Sequence, residues 1–148
     1  MGLQIMSEDT RNGDKLPAGA SSIVDIRELE GDGQLTIVHS YRNHGFRIAK
    51  QGYEGSQILL PRARFDWNPP EWDKITIDDL APIFVDPVPP LLILGLGEAP
   101  MGLLPELQVA LHEKGVSLEI MSTPAACRTW NVLLSEGRHA AVALLAVA

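Results

Sequence analysis

The sequence predicts a single three-layer α/β domain, and three observations carry that prediction. The second half of the chain alternates apolar runs with helical segments, in the order strand, helix, strand, helix, strand. The first half carries short runs of two-residue periodicity separated by tight turns instead. And 148 residues, 45% hydrophobic and 21% charged, are enough to bury one core without disulfides or metals. Strand–helix–strand–helix–strand is the sequence form of parallel wiring with right-handed crossovers. The antiparallel hairpins then extend or flank that sheet.

Residues 1–22 are polar, with Gly13, Pro17, Gly19, Ser21 and Ser22, and are expected to be a flexible segment ahead of a domain over 23–148. The turn Gly31-Asp32-Gly33 leads into a strand over Leu35–Tyr41. Two more short strands, Phe46–Ala49 and Ser56–Leu60, follow turns at 43–45 and 51–55, which predicts an antiparallel meander ended by Pro61. Residues 61–73 hold Phe65, Trp67, Trp72 and three prolines. Aromatics at that density must be buried somewhere, so the segment reads as a packed loop closing one side of the domain. A short helix around 78–84 takes Thr76 or Asp78 as its cap, and Pro82 limits its length.

The run from Pro90 to Gly95 is continuously apolar, the mark of a strand buried on both faces. From Leu103 to Lys114, Leu103, Leu107, Ala110 and Leu111 share one helical face. Glu106 lies in the first turn, Lys114 in the last, and Gly115 is the stop. Val116–Met121 is a strand. A second helix runs from Pro124 to Glu136, with Thr123 as N-cap, Pro124 at the first helical position and Gly137 ending it. Ala140–Val147 is a last buried strand, whose direction the short connection after Gly137 leaves open.

In such sheets ligands lie beyond the carboxyl ends of the parallel strands. Two loops meet there: Gly95-Leu96-Gly97-Glu98, and Ser122-Thr123-Pro124 at the start of the second helix. Glycines permit close backbone approach, and a helix start offers N–H groups and positive potential. Gly95, Gly97, Thr123, Arg128 and Asn131 are therefore the candidates for an anion or small ligand. The competing reading is a tight strand-to-helix turn. The loop lacks the third glycine of a dinucleotide fingerprint and the Lys-Ser/Thr of a phosphate loop.

Cys127, the single cysteine, falls with Trp130 and Leu134 on the apolar stripe of that helix. It reads as a core residue, and a nucleophilic or redox role would rest on the helix start lowering its pKa. Arg128 points off the stripe and opposes the helix dipole. It meets either an anion or a neighbouring carboxylate such as Glu98. Asn131, at the edge of the stripe, bonds a backbone carbonyl or the Gly95 loop.

The four histidines are scattered without metal-ligand spacing, so neither a metal nor a cofactor is implied. A net charge of −7 argues against nucleic acid. No apolar run reaches the length of a membrane span, and the first residues resemble neither a secretory nor a transit signal. Cytoplasm is the expected compartment.

Several strings together resemble a known family: Val38-His39-Ser40-Tyr41, Gly45-Phe46, Leu60-Pro61-Arg62, Trp67, Gly95-x-Gly97, Thr123-Pro124-x-Ala126-Cys127, Asn131 and Glu136-Gly137-Arg138. They are similar to the Mth-type (Mth-like) domain family of unknown function, which includes a mitochondrial complex I assembly factor. The resemblance implies a β+α/β/α fold with a central mixed sheet, in which the last strand can run against its neighbours. It implies no catalytic residues. Leu96 stands where a small hydroxyl residue is commoner in that family, and Trp130 replaces a smaller aromatic.

Two functions are consistent with this reading. One is a non-enzymatic protein-binding, assembly-factor-like domain that presents Trp67 or Trp72 to a partner, with a homodimer through a sheet edge as a further expectation. The other is a small-molecule or anion-binding protein, or an enzyme, built on the Gly95–Gly97 loop and the helix start at Thr123. Cys127, Trp130 and Gly137 are assigned structural roles.

Overall fold

The computed structural model describes residues 34–98 and 102–148; the segment 1–22 and the start of the domain at residue 23 lie outside these. Among the described residues eight strands form two sheets. β1 (Val38–Arg42), β2 (Gly45–Ile48) and β3 (Gln51–Glu54) make a three-stranded antiparallel meander. The reversal between β1 and β2 takes two residues, Asn43 and His44, with φ of 59° and 58°. Positive φ at both central positions matches the twist of a tight hairpin. The next reversal falls at Ala49-Lys50, with Ala49 at φ 58°. The 51–55 stretch expected as a turn is therefore strand β3 up to Glu54, because the chain reverses two residues earlier.

β4 (Ser56–Leu60) leaves this meander and joins a five-stranded sheet in the order β5-β4-β8-β6-β7, with β5 (Ala63–Trp67), β6 (Leu91–Gly95), β7 (Ser117–Met121) and β8 (Ala141–Leu144). The 61–73 passage is thus a loop only in part. Residues 63–67 pair antiparallel with β4 in full register, Ser56 opposite Trp67 and Leu60 opposite Ala63. Pro61 ends β4 and begins the reversal instead of a long loop. β6 runs parallel to both β7 and β8, while β4 runs antiparallel to β8, so the sheet is mixed. The last strand thereby runs with one neighbour and against the other.

The alternation of side chains along the central strands divides the core in two. Ile58, Leu92, Leu94, Ala141 and Ala143 face one layer, built from α1 (Pro105–Glu113) and a 3-10 segment (Ile77–Ile83). Leu59, Ile93, Val142 and Leu144 face the other, where α2 (Thr123–Ser135) and the three-stranded sheet pack. Leu92, Ile93 and Leu94 are all fully buried, each contributing about 1.5–3 kcal/mol of apolar transfer. This is the three-layer β+α/β/α arrangement, and it explains why β6 reads as an unbroken apolar run: both of its faces are covered.

The helices differ from expectation at their starts. Pro105 opens α1, and the residue before a proline avoids helical geometry; Leu104 has φ −128° and ψ 72°. That turn sends Leu104 into the core and leaves Leu103 81% exposed, so Leu104 takes the core position expected for Leu103. The short helix is a 3-10 segment held by reciprocal bonds between Thr76 and Asp79, with Pro82 lying inside it. No helix among the described residues is long and apolar enough to cross a membrane.

Candidate functional site

The carboxyl ends of β6, β7 and β8 lie side by side, as the parallel register of Gly95 with Met121 and with Leu144 requires. The helices that follow β6 and β7 cover opposite faces, so this edge is the topological switch point at which α/β proteins hold ligands. Gly95 lies against the start of α2. A Cβ on it would stand 3.0 Å from Ala126 Cβ, 3.1 Å from Leu144 Cδ2 and 3.1 Å from Thr123 Cα. Only a residue without a side chain lets the helix approach so closely. Gly97, at φ 84°, turns the chain back toward that helix.

Thr123 ties the edge together. It is fully buried, and its hydroxyl donates to the Leu145 carbonyl at 2.8 Å while accepting from the Gly97 amide at 3.0 Å. Its own amide donates to the Gly97 carbonyl at 2.6 Å, and the Leu145 amide donates to the Gly95 carbonyl at 2.9 Å. One side chain thus joins the ends of three strands. Ser122, not Thr123, is the N-cap: its hydroxyl accepts from the Ala125 amide at 3.2 Å and its carbonyl from the Ala126 amide at 2.8 Å. Thr123 occupies the first helical position because its hydroxyl is committed to the strands. Pro124 therefore stands at the second helical position, so the proline rule that pointed to Thr123 as the cap gave no signal for Ser122.

This bonding decides what the helix start can do. A helix N-terminus binds anions through amides that lack intrahelical partners. Here the amides of Thr123, Ala125 and Ala126 are engaged, Pro124 has none, and the Gly97 amide is held by Thr123. Leu96 between the glycines is fully buried in the core. The geometry is that of a close-packed strand-to-helix junction.

The other candidates are spread over the fold. Asn131 lies two turns along α2, where its amide oxygen accepts from the Val38 amide and its nitrogen donates to the Val38 carbonyl, both at 2.9 Å. It clamps β1 onto the helix and is not part of the strand-end cluster, because both of its polar atoms are committed 93 residues away in sequence. Arg128 is exposed and makes no hydrogen bond or ion pair among the described residues, Glu98 included.

Cys127 is 2% exposed. Burial pushes its thiol up to about 12, only partly offset by the charge of Arg128, so it stays protonated and unreactive at neutral pH. Trp130 is fully buried and its indole donates to the Thr36 carbonyl at 3.0 Å. Gly137, at φ 69°, closes α2: its amide reaches the Leu134 carbonyl and the Arg138 amide the Leu133 carbonyl, both at 3.0 Å.

Trp67 does not face outward. It is 5% exposed at the end of β5, and its indole donates to the Asp79 carbonyl at 2.9 Å. Strand pairing turns the ring into the core and thereby anchors the 3-10 segment. Trp72 is half-buried and packs against the same cluster, close to Gly102.

The sequence reading missed a network around Gln57, which is fully buried in β4. Its amide donates to the Glu54 carbonyl at 3.2 Å and to Asp66 at 3.1 Å, and accepts from Arg64 at 2.8 Å. Arg64 also bonds Asp66 at 2.8 Å and stacks 3.7 Å over the Tyr53 ring. Hydrogen bonds from Arg64 and then Gln57 hold the Asp66 carboxyl below the usual range. The network links β3 of one sheet to β4 and β5 of the other. A polar residue inside an apolar strand, opposite an Arg-x-Asp pair, was its only trace in the sequence.

A mixed α/β sheet covered on both faces, with a threonine tying its strand ends together, defines a β+α/β/α domain. The chain belongs to the family described as "Protein of unknown function (DUF498/DUF598)", whose model matches residues 38–145. It is 34% identical over 111 residues to the zebrafish (Danio rerio) NADH dehydrogenase (ubiquinone) 1 alpha subcomplex assembly factor 3, a match covering 74% of this chain and 64% of that protein. The chain therefore spans less than two thirds of that relative's length. Among solved structures, an outer membrane protein from Bartonella henselae superposes with a TM-score of 0.70 at 34% identity, over 79% of this chain and 98% of that one. A Bordetella pertussis Mth938-like domain gives 0.64 at 26% identity, over 76% and 86%.

Proposed function

We propose that this chain works by binding another protein, as an assembly-factor-like module in the cytoplasm that catalyses no reaction of its own. The observation that carries this reading is the bonding of Thr123. Where an α/β enzyme keeps amides free for a substrate, this chain spends them on joining its own strand ends. The thiol of Cys127 supports the same reading, since it is buried and held protonated. Likeness to an assembly factor for NADH dehydrogenase supports the same class and names the partners to try first, the subunits of a respiratory NADH dehydrogenase.

The test is deletion of the gene in its host, followed by native-gel quantification of assembled NADH dehydrogenase and NADH oxidation by isolated membranes. The reading expects assembled enzyme to fall while its subunit transcripts stay level. Unchanged assembly overturns it.

Arg128 is the observation on the side of the small-anion reading, since it is exposed on α2 without a partner among the described residues. A thermal-shift screen against phosphate, nucleotides and carboxylic acids separates the two. A rise in Tm that Arg128→Ala removes favours the anion; a flat screen favours the protein partner. A homodimer through an edge of the three-stranded sheet is checked by sedimentation equilibrium.

A further inference from the structure

A trough between α1 and the 3-10 segment plays no part in the strand-end cluster. Two concavities of about 280 and 200 Å³ lie there side by side, sharing Ile75, Glu106 and Leu107 in their walls. Its floor is apolar: Ile75 and Leu107 are buried, Ala110 is half-buried, and Leu103 stands 81% exposed along it. Its rim is acidic. Asp73, Asp78 and Glu106 are all exposed, and among the described residues no lysine or arginine lines either concavity. The adjacent Lys74 is paired with Glu71 at 3.3 Å.

The dimensions and the charge point to one kind of occupant. Small-molecule sites run to about 300–1,000 Å³. Each half of this trough is smaller, which suits single side chains of a peptide. Three carboxylates around an apolar floor favour cationic residues beside the anchors and reject an acidic surface. A second copy of this chain carries a net charge of −7, so its average surface is of the wrong sign.

We propose that the trough receives a short amphipathic segment of a partner protein, with two apolar anchors in the depressions and Lys or Arg flanking them against Asp73, Asp78 and Glu106. This rests on the protein-binding reading and specifies the chemistry of the partner. The anchors supply affinity, as buried side chains at interface centres do, and the carboxylates supply orientation and rate of encounter.

The experiment selects a random 16-residue phage library on the immobilised full chain, then titrates the synthetic consensus peptide into the labelled protein by NMR. The expected consensus has two apolar residues flanked by Lys or Arg, and it shifts the amides of 75–78 and 103–110. Asp78→Lys combined with Glu106→Lys should weaken binding about tenfold or more and flatten its salt dependence. Ala110→Trp, which fills the floor, should abolish it, and Arg42→Glu on the other sheet should change nothing. Circular dichroism melts verify that each variant folds.

The proposal is overturned by an acidic consensus, by the absence of any consensus, by shifts outside the trough, or by charge-reversed protein that binds like the wild type. A dimer that Ala110→Trp dissolves overturns it too, by making a second copy the occupant. Normal NADH dehydrogenase assembly in the deletion strain, with peptide binding intact, refutes the assembly reading alone. Assembly that fails on deletion but is rescued fully by the charge-reversed variant refutes the trough alone.

Discussion

Replacing Thr123 with valine keeps the shape of the side chain and removes only the hydroxyl. In the native structure that oxygen donates at 2.8 Å to the Leu145 carbonyl and accepts at 3.0 Å from the Gly97 amide, and the residue has no exposed surface. Valine leaves both partners unmatched. A buried polar group without its partner costs about 1–3 kcal/mol. Gly97 and Leu145 are themselves only half-buried, so water recovers part of the loss, and the expected net destabilisation is about 2–3 kcal/mol.

Urea denaturation followed by tryptophan fluorescence reads this directly, because Trp130 and Trp67 are buried in the two core clusters. With a slope of about 1–3 kcal/mol/M for a small protein, the midpoint should fall by roughly 0.7–3 M at unchanged slope. Thr123→Ser is the control. It keeps both hydrogen bonds and loses one methyl, worth about 1 kcal/mol. If valine is as stable as the wild type, or more stable than serine, the claim that one hydroxyl ties three strand ends is wrong.

Gly95→Ala should destabilise by about 1–3 kcal/mol, since the new methyl meets Thr123 Cα at 3.1 Å and the helix start must move; a melting curve matching the wild type would show that the junction has room. Asn131→Ala strands the Val38 amide and carbonyl and should cost about 1–2 kcal/mol, with faster hydrogen exchange at Val38 as its local signature. Cys127 should resist a thiol reagent such as dithionitrobenzoate in native protein and react at once in denaturant. Its ordinary pKa of 9.0 rises to about 12 on folding, so the unfolded thiol ionises first: stability is untouched below pH 9 and declines as pH climbs toward 12. A cysteine-to-alanine variant should lack that alkaline component.

Much of the fold was readable because its physical causes are local. The apolar run over Leu91–Leu94 announced a strand covered on both faces, and Ala126, Cys127, Trp130, Leu133 and Leu134 follow the helical repeat that buries one face of α2. Gly137 stood where a left-handed residue closes that helix, and the structure puts it there at φ 69°. The site was less readable. Asn131 and Gly97 both lay near the right helix or loop, yet a sequence does not say which of several nearby polar groups a side chain will choose. Trp67 failed for a related reason. An aromatic next to prolines looks the same in a surface loop and in a paired strand, until β4 is seen to hold β5 in register.

The sequence by itself determined the class of the domain, the order of its elements and the burial of the thiol stripe, since periodicity and punctuation act within a few residues of themselves. Only the tertiary structure decided that the final strand inserts between β4 and β6, that Thr123 uses its hydroxyl across the strand ends while Ser122 caps the helix, and that an acid-rimmed trough opens beside α1. The Thr123 bonds bring groups 22 and 26 residues apart to within 3 Å, and meetings of that kind are set by how whole layers pack.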